Sequence, residues 1–135
     1  MNYPTDWKEE LRKKPICGVL SVAIIANVTF EQATQAIKNN LMPHQKRHGG
    51  RTYHPQRRDA LRELGVSFIE HYFSKMTLQR WVADHARPDT TYMVQTSSHV
   101  VTVRNGLVAD QVEIKNISEH NSRRCFVRTV LQIRN

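Results

Sequence analysis

Cysteine is scarce in this sequence, which holds only Cys17 and Cys125 among 135 residues. Two thiols do not form a disulfide framework, so the class of small secreted domains stapled by several bridges is excluded. No apolar run approaches the roughly 20 residues that span a bilayer. The polar N-terminal residues lack the apolar segment of a secretory signal. We therefore expect a cytoplasmic protein with reduced thiols and no membrane partner.

Internal repeats, low-complexity tracts and long linkers are also missing from the sequence. A length of 135 residues suits one domain, so we expect a single domain over 1–135. Hydrophobic residues make up 39% of the chain and charged residues 24%, a balance that excludes wholesale disorder.

Acidic residues are fewer than basic ones, 12 against 20, which gives a formal net charge of +8. This excess favours acidic partners, including an acidic protein or peptide substrate and nucleic acid. A solvated basic surface is the alternative, because net charge alone specifies no partner.

Hydrophobic periodicity and turn residues divide the chain into helices followed by strands. Helices are predicted at 6–14, 18–26, 29–41, 55–64 and 78–85, and strands at 66–72, 91–96, 99–104, 107–112 and 126–133. The first two of these helices begin near Asp6 and Gly18. Residues 42–54 are predicted to form the loop that joins the helix 29–41 to the helix 55–64. This order predicts an α+β fold in which N-terminal helices pack on a C-terminal antiparallel sheet.

Asn105-Gly106 lies between two valine-rich runs and is the strongest hairpin signal in the sequence. A two-residue turn there pairs Arg104 with Leu107, Val103 with Val108, Thr102 with Ala109 and Val101 with Asp110. His99 then shares the face of Val101 and Asp110, and Val112 shares it as well. Diagonal neighbours on one face are within reach of each other, so His99 and Asp110 are expected to meet.

Cys17 precedes an apolar helical pattern and is followed by Gly18. A cysteine at a helix N-terminus is stabilised as a thiolate by free backbone N–H groups and the helix dipole. A glycine beside it allows close approach of a substrate. A cysteine with a distant histidine and acid forms a candidate nucleophilic site, with Cys17, His99 and Asp110 as its members. Cys125 opens an apolar run and is expected to be a core thiol.

The layout resembles the papain-like cysteine peptidase superfamily, and within it the bacteriocin-processing branch and small phage and plasmid proteins. The resemblance covers roughly residues 15–112 and lies in 15–23, 29–41, 59–65 and 92–110. It implies a papain-like core and thiolate attack on a peptide or isopeptide carbonyl. In these roles Cys17 is the nucleophile, His99 the base and Asp110 the orienting acid, with no cofactor.

The sequence departs from the family pattern before the nucleophile. Relatives usually carry a glutamine a few residues before the cysteine that helps to bind the oxyanion, and residues 11–16 contain none. Ser98 also stands where relatives often have glycine. The alternative function is therefore a catalytically weakened binding or inhibitor protein on the same scaffold.

A basic segment that follows the predicted helix 29–41 and runs into the predicted helix 55–64 is a candidate contact for substrate or nucleic acid. Its candidate residues are Lys46, Arg47, Arg51, Tyr53, Arg57 and Arg58. Three histidines in the same region, His44, His48 and His54, raise the alternative of a metal site. Pro43 and Gly49-Gly50 break the helix that such a pair needs, so no metal site is predicted.

Overall fold

The computed structural model describes residues 1–134 and shows an α+β fold, as predicted. The helices are α1 (Cys17–Ala26), α2 (Phe30–Asn39), α3 (His54–Glu63) and α4 (Leu78–His85), and the strands are β1 (Phe68–Tyr72), β2 (Thr91–Thr96), β3 (Val100–Arg104), β4 (Leu107–Ala109), β5 (Ile114–Asn116) and β6 (Val127–Ile133). Two short 3-10 helices cover Glu9–Lys13 and Asn121–Arg124.

The sheet has the strand order β1-β6-β2-β3-β4-β5, and every neighbouring pair is antiparallel. The turn between β3 and β4 places Asn105 at φ 49° and Gly106 at φ 78°. Two consecutive positive φ angles are the conformation for which Asn-Gly is selected in hairpins. The pairing of Thr102 with Ala109 confirms the predicted register.

Helices cover both faces of the sheet. On one face α1, α2 and α3 pack on the sheet through Val19, Val22, Ala36, Ile37, Leu61, Met93 and Leu131. On the other face α4 packs through Leu78, Trp81, Tyr92, Val94, Val101, Val103 and Val130. Full burial of each valine, leucine, isoleucine or methionine side chain among them contributes roughly 1.5–3 kcal/mol to the free energy of folding. The two layers therefore hold the ends of β2, β3 and β4 in fixed positions.

Helix α1 is buried along most of its length, as its apolar sequence predicts. A hydrogen bond of 2.7 Å joins the hydroxyls of Ser21 and Thr102, so the one polar side chain facing the sheet is satisfied. In the described part of the chain no single helix is long and apolar enough to cross a membrane. Helices α1 and α2 meet that length and composition only as a pair bent by 110°.

The predicted helix over 6–14 is wrong, because only the short 3-10 helix forms there. The carboxylate of Asp6 accepts hydrogen bonds from the backbone N–H groups of Phe30 at 2.7 Å and Glu31 at 3.1 Å. Asp6 therefore caps α2 instead of its own segment, because the first N–H groups of α2 have no intrahelical acceptor. Thr29 and Gln32 complete the predicted capping box of α2.

The predicted strand over 107–112 is too long, since β4 ends at Ala109. The carboxylate of Asp110 accepts hydrogen bonds from the N–H groups of Val112 at 2.8 Å and Glu113 at 2.9 Å. This turn takes the chain out of the strand. Val112 is consequently 48% exposed and does not share the apolar face of Val101.

Candidate active site

Cys17 is the first residue of α1 and is half-buried. The helix begins after Pro15 and Ile16, and its first turn carries no acidic side chain. The first N–H groups of an α-helix have no intrahelical acceptor and point away from the helix body. The sulfur of Cys17 therefore lies beside free donors and the positive end of the helix dipole.

Gly18 lets the segment that precedes α3 lie against the start of α1. A Cβ atom at position 18 would stand 2.0 Å from Oγ1 of Thr52 and 3.1 Å from Cδ of Arg57. Only a residue without a side chain fits this approach. The sequence predicted that Gly18 makes room for a substrate, but in the structure it makes room for the side chains of Thr52 and Arg57.

His99 directly precedes β3 and is held by its backbone. Its N–H donates to Oγ1 of Thr96 at 3.0 Å, and its carbonyl accepts from the Thr96 N–H at 2.7 Å. The residue is exposed, and within residues 1–134 its imidazole ring has no hydrogen-bond partner. The backbone is therefore fixed, while no hydrogen bond within the described residues holds the ring.

Asp110 follows β4, and its side chain is 13% exposed. Its Oδ1 atom accepts the two N–H bonds that end the strand, which leaves Oδ2 for other partners. The Tyr3 hydroxyl donates to the Asp110 backbone carbonyl at 2.7 Å. Burial, followed by the charge of Asp110, raises the pKa of Tyr3 to about 12, so the phenol stays protonated and keeps this bond.

The three predicted site residues line one cavity of about 200 Å³. Cys17 and His99 also line an adjoining cavity of about 670 Å³, which is large enough for a peptide segment. In the described residues no hydrogen bond joins the His99 ring to Cys17 or Asp110. The structure thus brings Cys17, His99 and Asp110 to a common cavity without linking them as a hydrogen-bonded triad.

Gln111 connects the segment before Cys17 to the turn that carries Asp110. Its Nε2 atom donates to the carbonyl of Arg12 at 2.8 Å and to that of Lys14 at 2.5 Å. These bonds hold the segment before Cys17 against the turn after Asp110. Sequence reasoning missed this residue, because a side-chain bond to a distant backbone leaves no spacing pattern.

His120 is a second residue that the sequence did not indicate. It is fully buried, and its Nε2 atom lies 3.4 Å from Oδ2 of Asp110. Its Nδ1 atom accepts a hydrogen bond of 3.0 Å from the N–H of Ser122. His120 stands in an irregular segment, where no periodicity indicates which side chains point inward.

Cys125 is not the core thiol that the sequence predicts. It is half-buried and lines the 200 Å³ cavity together with Cys17 and His99. Its Sγ atom lies 3.6 Å from Oγ of Ser98, the residue that replaces the family glycine. The apolar run after it belongs to β6, which begins only at Val127, and Phe126 is 54% exposed.

Arg57 is buried beside the nucleophile, with 2% exposure, and is not a free surface cation. Its Nη1 atom donates to the carbonyl of Thr52 at 3.1 Å and to Oγ1 of Thr52 at 2.8 Å, and its Nη2 atom donates to Oε1 of Gln95. Burial lowers the pKa of Arg57 to about 10, and the charge of Cys17 acts in the opposite direction. Arg57 is therefore a cation whose partners are neutral acceptors.

The other residues of the basic segment lie in different settings. Lys46, Arg47 and Arg51 are exposed, and of these three only Arg51 lines the larger cavity. Tyr53 is 46% exposed and packs edge-on against the His44 ring at 5.1 Å. Arg58 is not available to a phosphate, because it forms an ion pair of 2.9 Å with Glu70.

The histidines considered as metal ligands do not form such a site. His54 is paired with Glu70, and its pKa is lowered chiefly by burial. Residues 1–134 contain no group of three or more histidine, cysteine, aspartate and glutamate side chains that could hold a metal ion.

The larger cavity is basic. Its lining includes four cationic residues, Lys13, Lys14, Arg51 and Arg57, and no aspartate or glutamate among the described residues. The first three are exposed, so their charges face the opening. Such an arrangement attracts an anionic group to the side of the cavity where Cys17 lies.

The fold and the cavity together define an α+β protein with a cysteine, a histidine and an aspartate at one end of its sheet. Comparisons of the chain with protein-family models, with curated proteins and with solved structures found no match.

Proposed function

We propose that the protein is a cysteine hydrolase of the papain-like class that cleaves an amide or isopeptide bond. The observation that carries this proposal is the convergence on one cavity of Cys17 at the start of α1, His99 before β3 and Asp110 after β4. Cys17 is the nucleophile, His99 the general base and Asp110 the group that supports the charged imidazole.

The proposed reaction has two steps. His99 takes the proton of Cys17, the thiolate attacks the carbonyl carbon, and the carbonyl π electrons move to the oxygen. The tetrahedral intermediate then expels the amine, which receives the proton from His99. Water, deprotonated by His99, attacks the thioester carbon, and the released thiol regains its proton.

The exposed ring of His99 fits this scheme because it must contact sulfur, acid and leaving group in turn. Hydrogen bonds in an unliganded active site are often formed only when substrate binds. Asp110 is held by two N–H bonds and supplies a fixed negative charge in the same cavity. A bound acyl group that excludes water would strengthen the attraction between the imidazolium and this carboxylate.

The basic lining of the larger cavity supports a substrate with an acidic residue or a carboxylate near the scissile bond. This can be tested with two activated esters, p-nitrophenyl acetate and its anionic relative p-nitrophenyl succinate. The anionic ester should acylate Cys17 faster, and the preference should disappear in Arg51→Glu. An equal rate with both esters would remove the acidic-substrate proposal.

The alternative function is a binding protein that keeps the scaffold with little catalysis. It is favoured by the glutamine missing before Cys17 and by the side-chain bonds of Asp110, which in the described residues go to Val112 and Glu113 and not to the His99 ring. If nucleic acid were the ligand, affinity would fall steeply with salt and would survive Cys17→Ala.

Alkylation by iodoacetamide tests the proposed nucleophile directly. In a Cys125→Ser background, Cys17 should react at about pH 6, where an ordinary thiol is almost wholly protonated. His99→Ala should slow the reaction at least tenfold, since the base that holds the proton is lost. In the unaltered chain, equal and slow labelling of Cys17 and Cys125 would end the hydrolase proposal.

A further inference from the structure

Gln95 lies on β2 and shares a cavity with Cys17. Its neighbour two residues before, Met93, points into the core under α1, so Gln95 is on the same face of the sheet. It lines the 670 Å³ cavity together with Cys17, Gly18 and His99. A polar side chain on that face, next to the nucleophile, requires a physical reason.

The donors and acceptors of the two side chains decide which end of the Gln95 amide contacts Arg57. An arginine side chain has five N–H donors and no acceptor, so the atom of Gln95 that contacts Arg57 must be the carbonyl oxygen. The amide nitrogen Nε2 is left with its two N–H donors. Among residues 1–134 the side chain of Gln95 has one hydrogen bond, which Arg57 donates to its oxygen, so no acceptor is bound to these N–H groups.

A continuous set of contacts fixes this amide relative to the nucleophile. Thr52 touches Gly18, the residue after Cys17, and accepts two hydrogen bonds from Arg57. Arg57 in turn holds Gln95. The Nε atom of Arg57 is buried and has no protein partner in the described residues. The guanidinium therefore donates hydrogen bonds to Thr52 and Gln95 and to no carboxylate.

We propose that the Nε2 amide of Gln95 is the oxyanion donor of this active site and that Arg57 is the residue that positions it. The proposal rests on the proposed function. As the sulfur–carbon bond forms, the carbonyl oxygen gains the π electrons and a negative charge, and an N–H of Gln95 donates to it. The free N–H groups at the start of α1 supply the second donor. A strand glutamine thus takes the place of the glutamine missing before Cys17.

The test compares two reactions of the same thiol in a Cys125→Ser background. Acylation by p-nitrophenyl acetate passes through an oxyanion, whereas alkylation by iodoacetamide does not. The ratio of the two rates therefore measures oxyanion stabilisation and cancels changes in thiolate content. Loss of one oxyanion donor typically lowers a rate by about 10²–10³.

Two variants share only the loss of the amide N–H donors. Gln95→Met is neutral and of similar size, and Gln95→Glu keeps an acceptor for Arg57 and therefore the local fold. Both should lower the ratio of acylation to alkylation about 10²-fold or more. Gln79→Leu, an exposed position on α4 over the other face of the sheet, should leave the ratio unchanged.

The outcomes separate the two proposals. If Cys17 stays reactive and both variants keep the ratio, Gln95 is not the donor, while the hydrolase proposal stands. If Gln95→Met lowers the ratio and Gln95→Glu does not, the contact with Arg57 matters, not the N–H donor, and the oxyanion role is overturned. If Cys17 reacts with neither reagent in the unaltered site, both proposals fail.

Discussion

The Nε2 atom of His120 lies 3.4 Å from Oδ2 of Asp110, the carboxylate that lines a cavity with Cys17. Nδ1 of His120 accepts a hydrogen bond from Ser122, so in the neutral ring Nε2 carries the hydrogen and turns it toward Asp110. Burial lowers the pKa of His120, although Asp110 and Glu113 act in the opposite direction. A neutral buried imidazole therefore lies against Oδ2 of the acid, while the N–H groups of Val112 and Glu113 hold Oδ1.

Replacing this imidazole should destabilise the protein. His120→Ala leaves the Ser122 N–H without its acceptor, removes the imidazole that lies 3.4 Å from Asp110 Oδ2, and opens a cavity where the ring was. We expect the free energy of unfolding to fall by about 1–3 kcal/mol, as for other unsatisfied buried groups. Urea denaturation measures this change. His44→Ala, at an exposed loop position, is the control and should change stability by less than about 0.5 kcal/mol.

Stability should decrease as the pH falls from about 7.5 to 5.5. The pKa values of His48, His54 and His120 are all lowered, in each case chiefly by burial. A histidine with a lowered folded pKa binds its proton more readily in the unfolded chain, so acid favours unfolding below the unfolded pKa of about 6.5. Each proton taken up on unfolding contributes a slope of about 1.4 kcal/mol per pH unit.

Thermal unfolding at both pH values measures this dependence. His54→Gln should flatten it, because the variant removes one of the three titrating groups. A melting temperature that rises on acidification would show that the buried histidines gain protons on folding, contrary to the effect of their burial.

Gly18→Ala should disturb the start of α1. The new methyl group would meet Oγ1 of Thr52 at 2.0 Å and Cδ of Arg57 at 3.1 Å, and Thr52 is tied to Arg57 by two hydrogen bonds. Overpacking of this kind costs about 1–3 kcal/mol. Gly49→Ala is the matched control, because nothing lies within 4 Å of the place where its methyl group would stand. Equal unfolding midpoints for the two variants would contradict the close approach.

The sequence predicted best what depends on local chemistry. Asn105-Gly106 fixes two positive φ angles, and from them the register of β3 and β4 and the neighbourhood of Asp110 follow. The capping box at Thr29 and the buried helix after Cys17 are equally local. These features were predicted correctly because a few neighbouring residues determine them.

What the sequence did not predict depends on contacts between distant segments. Asp6 caps a helix that begins more than twenty residues later, and His120 meets Asp110 from an irregular turn. Gln95 is recognisable only once Arg57 is seen to hold its oxygen. A pattern with a period of two or 3.6 residues carries no information about such pairs.

Arg57→Met should separate stability from reactivity. The guanidinium is buried without a carboxylate partner among residues 1–134, and this burial lowers its pKa to about 10. Its buried charge therefore opposes folding, whereas its three hydrogen bonds favour folding. A methionine of similar length removes both contributions, and we expect the free energy of unfolding to change by no more than about 1 kcal/mol. Alkylation of Cys17 by iodoacetamide should nevertheless slow several-fold, because a thiolate at the start of α1 loses the buried cation that lies against Gly18. Arg58→Met on the same helix, whose parent residue pairs with Glu70, should show the opposite pattern, with lower stability and unchanged alkylation. If Arg57→Met alkylates at the original rate, the cation does not act on the nucleophile, and its role is confined to holding Thr52 and Gln95.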